Sequence, residues 1–157
     1  CPQRGFPPPV AHVTPGPHEY PDQLILKLIE GSHVRMVDGR LTIDPTQMLD
    51  EDPSLLACAG LDVPNAQCAL VAIVSVLDAN PRVSVERSFT RTPEDLDAER
   101  AQVGGLTLDK DHYLNDLNLY YVIHVPAEDA PGLYDAIYSN PLVDVLYFPG
   151  MPVLPGE

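Results

Sequence analysis

Basic residues are scarce in this chain: nine Lys and Arg stand against 23 Asp and Glu, leaving a formal charge of -14 over 157 residues. A field of that sign repels phosphate backbones and anionic lipid surfaces, which argues against nucleic acid and membrane surfaces as direct partners. The acidity serves solubility or complements a basic partner, and no single block of acids stands out. Cysteine is rare as well. Cys1, Cys58 and Cys68 match no zinc motif, redox pair or dense disulfide framework. Their spacing permits a Cys58 to Cys68 bridge without demanding one, and Cys68 lies in an apolar stretch where a free thiol acts as a small hydrophobe. Also missing is any run of the roughly 20 apolar residues that span a bilayer, so no transmembrane segment is expected. Membrane attachment would then be by lipid alone. Cys1 at the head of the chain, with no initiating Met, reads as a trimmed start. Bacterial lipoprotein processing followed by acylation is one trimming that leaves cysteine first, and an arbitrary fragment boundary is another.

Catalytic patterns are absent too. His12 and His18 lie in a proline-rich leader, His33 beside a hairpin, His112 in an acidic loop and His124 within a strand, and none has a ligand-spaced partner. Ser75 falls on a helix without the glycine-flanked elbow that exposes a nucleophile, so it reads as a buried or helix-packing hydroxyl. The stretch "DKDHYLNDLN" offers Asp109, Asp111 and Asn115 as oxygen donors but lacks the glycine and glutamate of a calcium loop, and reads as a solvated turn. No glycine-rich phosphate cradle appears. The expectation is a non-enzyme with no cofactor and no metal.

What is present is one core's worth of chain, 45% hydrophobic, preceded by a leader that carries seven of the 18 prolines in residues 1–21. The apolar run in "DQLILKLIEG" fits a buried strand around Lys27. "VRMVDGRLTI" follows, with Asp38-Gly39 as a two-residue hairpin turn. Pro53 interrupts whatever helix forms between Asp44 and Gly60. Pro64 suits the first turn of a central helix near 65–79, in which Cys68, Val71, Ala72, Ser75 and Val76 recur at three-to-four spacing. Asn80-Pro81 stops it. A strand near 83–89 comes next, then a helix from Thr92 to the Gly104-Gly105 stop, a strand near 117–125, a helix near 130–139 and a last strand near 143–148.

This order predicts an α+β domain of ferredoxin-like βαββαβ plan, an antiparallel sheet with both main helices on one face, plus an inserted hairpin and extra helix. Val71, Val74, Ile123, Val125, Leu133, Ile137, Val143 and Val145 are expected in its core. The chain divides into an extended leader (1–21), the α+β domain (22–149) and an extended C-terminal tail (150–157).

The stretches "LILKLIEGSHVRMVDGRL" and "DLNLYYVIHVP", together with "NPLVDVLYFPGMPVLPG", resemble the N-terminal propeptide domains of subtilisin-like serine proteases of myxobacterial type. The likeness runs from Gln23 to Gly156, carried mainly by buried apolar positions. It implies an inhibitor and folding assistant, or intramolecular chaperone, of such a protease in cis or trans. The sheet face would dock on the enzyme, and the tail would enter the cleft as an added strand. It also implies a secreted or cell-envelope bacterial protein. Tyr120 or Tyr121 is then the sheet-face anchor, only one of the two because strand side chains alternate. Pro152, Val153, Leu154, Pro155, Gly156 and Glu157 are the tail contacts, and Pro149, Pro152 and Pro155 keep the tail extended. The competing expectation is a ferredoxin-like module, free or lipid-anchored through Cys1, that binds another protein or a small ligand.

Overall fold

The structure, a computed structural model, describes residues 8–46, 53–89, 91–104 and 116–152. Its centre is a four-stranded antiparallel sheet of β1 (Gln23–Leu28), β4 (Ser84–Arg87), β5 (Tyr120–His124) and β6 (Val143–Tyr147), in the order β4-β5-β1-β6. A separate hairpin of β2 (Val34–Val37) and β3 (Arg40–Ile43) follows β1. Helices α1 (Pro53–Cys58), α2 (Val63–Asp78), α3 (Pro93–Gly104) and α4 (Ala130–Ile137) fill the connections. The architecture is therefore α+β with a four-strand antiparallel sheet, compatible with the expected plan.

Local chemistry accounts for most element boundaries. Asp38 and Gly39 both take positive φ, 51° and 78°, which is the backbone a two-residue turn between twisted strands requires. Pro53 opens α1 instead of breaking a helix, because the first helical residue has no intrahelical N–H bond to lose. Asp62 caps α2 by accepting the Asn65 N–H at 2.8 Å, and Pro64 sits in the first turn as expected. Gly31, at φ +88°, lets the chain leave β1 directly against α1: a Cβ there would stand 2.8 Å from the Leu55 Cβ.

Register decides the two faces of the sheet. Leu24 pairs with Ile123, and Leu26 pairs with both Tyr121 and Leu146; all five are buried against α2 and α4 in one apolar cluster. Ile123, Val125, Leu133, Ile137 and Val143 are core residues as expected; Val145 is buried too, but on the other face of the sheet beside Lys27, and Val74 is partly buried. Val71 is not: it is 65% exposed. α2 buries Ala66, Ala69, Leu70, Ile73 and Leu77, so the stripe of Cys68, Val71, Ala72 and Ser75 is its solvent side. Both stripes have helical spacing, and the larger side chains took the core because burial scales with apolar area. Ser75 is accordingly an exposed hydroxyl, not a packed one, and Cys68 is an exposed free thiol. Cys58 is disulfide-bonded, so no bridge joins Cys58 to Cys68.

The leader is more than a spacer over its described part. Val10 O accepts the Tyr134 hydroxyl at 2.7 Å, the His12 N–H and ring meet Asp135 at 2.8 and 3.0 Å, and Val13 rests on the core.

Tyr121 and Lys27 set a limit at high pH. Burial pushes the Tyr121 phenol well above its ordinary value of 10.0. Burial disfavours the Lys27 ammonium, yet the neighbouring Glu30 and Asp144 carboxylates outweigh it and hold that group above 10.5. Both groups bind protons more tightly folded than unfolded, so the stability they contribute is complete below their unfolded values and is lost as pH rises through the folded ones. Urea unfolding followed by circular dichroism should show the midpoint falling between about pH 10 and about pH 12. A flat midpoint across that window would contradict this linkage.

Candidate functional site

The outer face of the sheet is built by the residues that alternate with the core positions. Ile25 pairs with Val122 and Tyr147, Lys27 with Tyr120 and Val145, and Gln23 with His124. On β4, Ser84 lies opposite His124 and Glu86 opposite Val122. Ile25, Tyr120 and Val122 remain half-buried, while Tyr147 is 47% and Phe89 39% exposed. The Phe89 ring meets Tyr120 edge-on at 5.8 Å and 90°, a favourable quadrupole geometry that stiffens both rings. Tyr120 is thus the tyrosine on the outer face. Tyr121, its neighbour in the expected anchor pair, is 1% exposed in the core, where its hydroxyl donates to Val34 O at 3.2 Å.

Beside this apolar patch lies a buried charge cluster. β6 carries an extra residue where Lys27 pairs with Val145 and Leu28 with Val143, and this bulge brings Asp144 to Lys27, with Nζ to Oδ2 at 2.7 Å. Glu30 Oε1 lies 3.1 Å from the same ammonium. Burial pushes the Glu30 carboxyl up from its ordinary value, and Lys27 only partly offsets that. Both Glu30 oxygens accept the Asp116 N–H at 3.1 Å. The Asp116 side chain in turn faces Arg35 at 2.9 Å, and Arg35 also reaches Asp97 at 2.9 Å. Asn118 completes the knot by accepting from Arg87 at 2.9 Å and donating to Pro93 O at 3.2 Å. Low-dielectric networks of this kind hold elements in one arrangement when satisfied. Here they tie β1, β2, β4 and α3 to the start of β5.

The third component is the tail exit. Phe148 is buried and stacks on Tyr134 at 6.3 Å, which anchors the chain as it leaves β6. The Tyr20 N–H then donates to Pro149 O at 2.8 Å and the Met151 N–H to His18 O at 2.7 Å, around an antiparallel bridge between Glu19 and Gly150. Met151 and Pro152 are exposed at this end. Val153, Leu154, Pro155, Gly156 and Glu157 lie outside the described residues, as do Cys1, His112, Asp109, Asp111 and Asn115.

His124 sits on the outer face with Nε2 2.7 Å from Glu86 Oε1, in a hydrogen-bonded contact open to water on both sides. That is a strand histidine with a surface partner. Among the described residues, no three His, Cys, Asp or Glu side chains are grouped to hold a metal ion, and no helix is long and apolar enough to cross a membrane. Ile25, Phe89, Val122 and Tyr147 belong to the outer face but are not singled out by sequence reasoning. Their signal was Lys27: a lysine inside an apolar run marks the phase of the strand's second face. Comparison of the chain with protein-family models, with curated proteins and with solved structures finds no match.

Proposed function

We propose that this chain is a propeptide-like inhibitor and folding assistant of a subtilisin-like serine protease, docking by the outer sheet face and placing its C-terminal tail in the active-site cleft. The observation that carries this reading is a half-buried apolar sheet face formed by Ile25, Tyr120, Val122 and Tyr147, on the sheet whose edge strand β6 leads directly into the exit at Phe148 to Pro152. A second support is topological. Counting only the sheet strands, the order is second, third, first, fourth, which is how two interlocked split βαβ units close a ferredoxin-like sheet. Such a sheet leaves one face free of its own helices, and a standard interface of about 800 Å² per partner is within its reach. The acidic balance of the chain favours a partner surface with a basic rim.

The test is addition of the purified chain to a subtilisin-like protease, with slow, tight inhibition as the expected result. Full protease activity at micromolar chain would sink the reading. Because Pro149 and Met151 are hydrogen-bonded to the leader around the Glu19 to Gly150 bridge, the informative truncation starts after them. Removing residues 152–157 should weaken inhibition at least tenfold, about 1.4 kcal/mol, with the thermal midpoint unchanged. Equal inhibition by the truncated chain would reduce the tail to a linker.

One feature favours the second reading, a ferredoxin-like ligand- or protein-binding module. A shallow depression beside the outer face is lined by Tyr20, Asp22, Arg82, His124, Val125 and Met151. Arg82 there is already engaged by Glu128 and lies near Asp129, which leaves little free cationic character for an anion. The protease-directed reading is preferred for that reason.

A further inference from the structure

The leader segment His18–Tyr20 lies along the first residues of the C-terminal tail, and nothing in a sheet-plus-tail design requires it there. We propose that this segment is a clamp that fixes the direction in which the tail leaves the domain, so that the tail is aligned before any partner arrives. The inference rests on the proposed protease-directed reading for its purpose, but its geometry stands alone.

Three layers of structure converge on the exit. Inside, Phe148 is held in the core by its stack on Tyr134. Outside, two main-chain hydrogen bonds of 2.8 and 2.7 Å and the Glu19 to Gly150 bridge pair the leader with Pro149–Met151. Further back, the leader itself is pinned: Glu19 N–H donates to Gly16 O at 3.2 Å, the Glu19 carboxylate accepts the Gly16 N–H at 2.6 Å, and Val10 and His12 are tied to Tyr134 and Asp135 on α4. The same Tyr134 that supports Phe148 thus also holds the leader through its hydroxyl. A strand pair this short would not persist between free chains, and it persists here because both partners are anchored within two residues of it.

The prolines explain how so little hydrogen bonding suffices. Tyr20 precedes Pro21, Phe148 precedes Pro149 and Met151 precedes Pro152, so three residues in or beside the pair are confined to extended backbone by their successor alone. Pro17 presets the turn that presents His18. The proline content of the leader is therefore put to structural use: it lowers the entropy that pairing would otherwise have to overcome. A tail whose base is already extended and aimed loses less freedom on docking, and its contribution to binding rises by that amount.

The test begins with hydrogen exchange in the unmodified chain. The Met151 and Tyr20 amides should exchange at least tenfold more slowly than in unstructured peptide, and exchange at the free-peptide rate overturns the clamp. Tyr20→Pro deletes one of the two donors, whereas Tyr20→Phe keeps it and serves as the control. In Tyr20→Pro the Met151 amide should lose its protection while the amides of β1 and β5 keep theirs. Inhibition by Tyr20→Pro should fall at least fivefold, and the same substitution should have no further effect in a chain that ends at Met151, because the clamp acts only through the residues that follow. Additive losses in that double-mutant comparison overturn the positioning role. Protection at Met151 with no inhibition by any variant strikes down the protease-directed reading while the clamp stands, and so separates the two.

Discussion

Replacing Lys27 with methionine is expected to cost about 3 kcal/mol of stability near pH 7, the low end for removing one member of a buried ion pair. The low end applies because the two carboxylates retain some water: the Glu30 and Asp144 side chains are 17% and 14% exposed, against 4% for Lys27. Methionine fills the aliphatic stem well, so the loss is electrostatic. Burial already holds the Glu30 carboxyl above its ordinary 4.5, and without the ammonium it rises further. A carboxyl whose folded pKa exceeds its unfolded one favours the fold below the unfolded value, and this advantage is lost as pH rises through the folded value. The deficit of Lys27→Met relative to the parent should therefore shrink as pH falls toward about 4.5. Urea unfolding at the two pH values checks this, and a deficit that does not change with pH would assign the loss to packing.

Tyr120→Ala is the second substitution of large effect, and it bears on function. On the proposed reading Tyr120 is an aromatic held edge-on by Phe89 on the sheet face that also carries Ile25, Val122 and Tyr147. Truncating an aromatic anchor of an interface costs about 2 kcal/mol of binding, or roughly 30-fold in the inhibition constant. The fold should lose much less, since Tyr120 is only half-buried. The matched comparison is Tyr121→Ala, which empties a fully buried site and should destabilise by about 3–5 kcal/mol. Unchanged inhibition by Tyr120→Ala would move the docking surface elsewhere.

The identity and order of the main elements were legible because each has a local cause. Asp38-Gly39 makes its hairpin turn from backbone preference alone, Pro64 and Asn80-Pro81 bracket α2, and the apolar runs of β1, β5 and β6 need no distant partner to be recognised. The absence of a bilayer-spanning helix among the described residues was likewise readable from run length. Composition also decided the strongly acidic field, which no folding can alter.

Which face each element presents was decided only by tertiary structure. α2 carries two apolar stripes, and spacing cannot rank them; the sheet's demand for area selected Leu70, Ile73 and Leu77 over Val71 and Cys68. Adjacent tyrosines in β5 differ by one step of a period-two strand, so the pairing register with β1 had to choose Tyr120 for the outside. The β6 bulge that delivers Asp144 to Lys27 and the pairing of the leader with the tail exit both join residues more than a hundred positions apart. Local sequence carries no signal for such contacts, because their energy exists only once the chain has closed on itself.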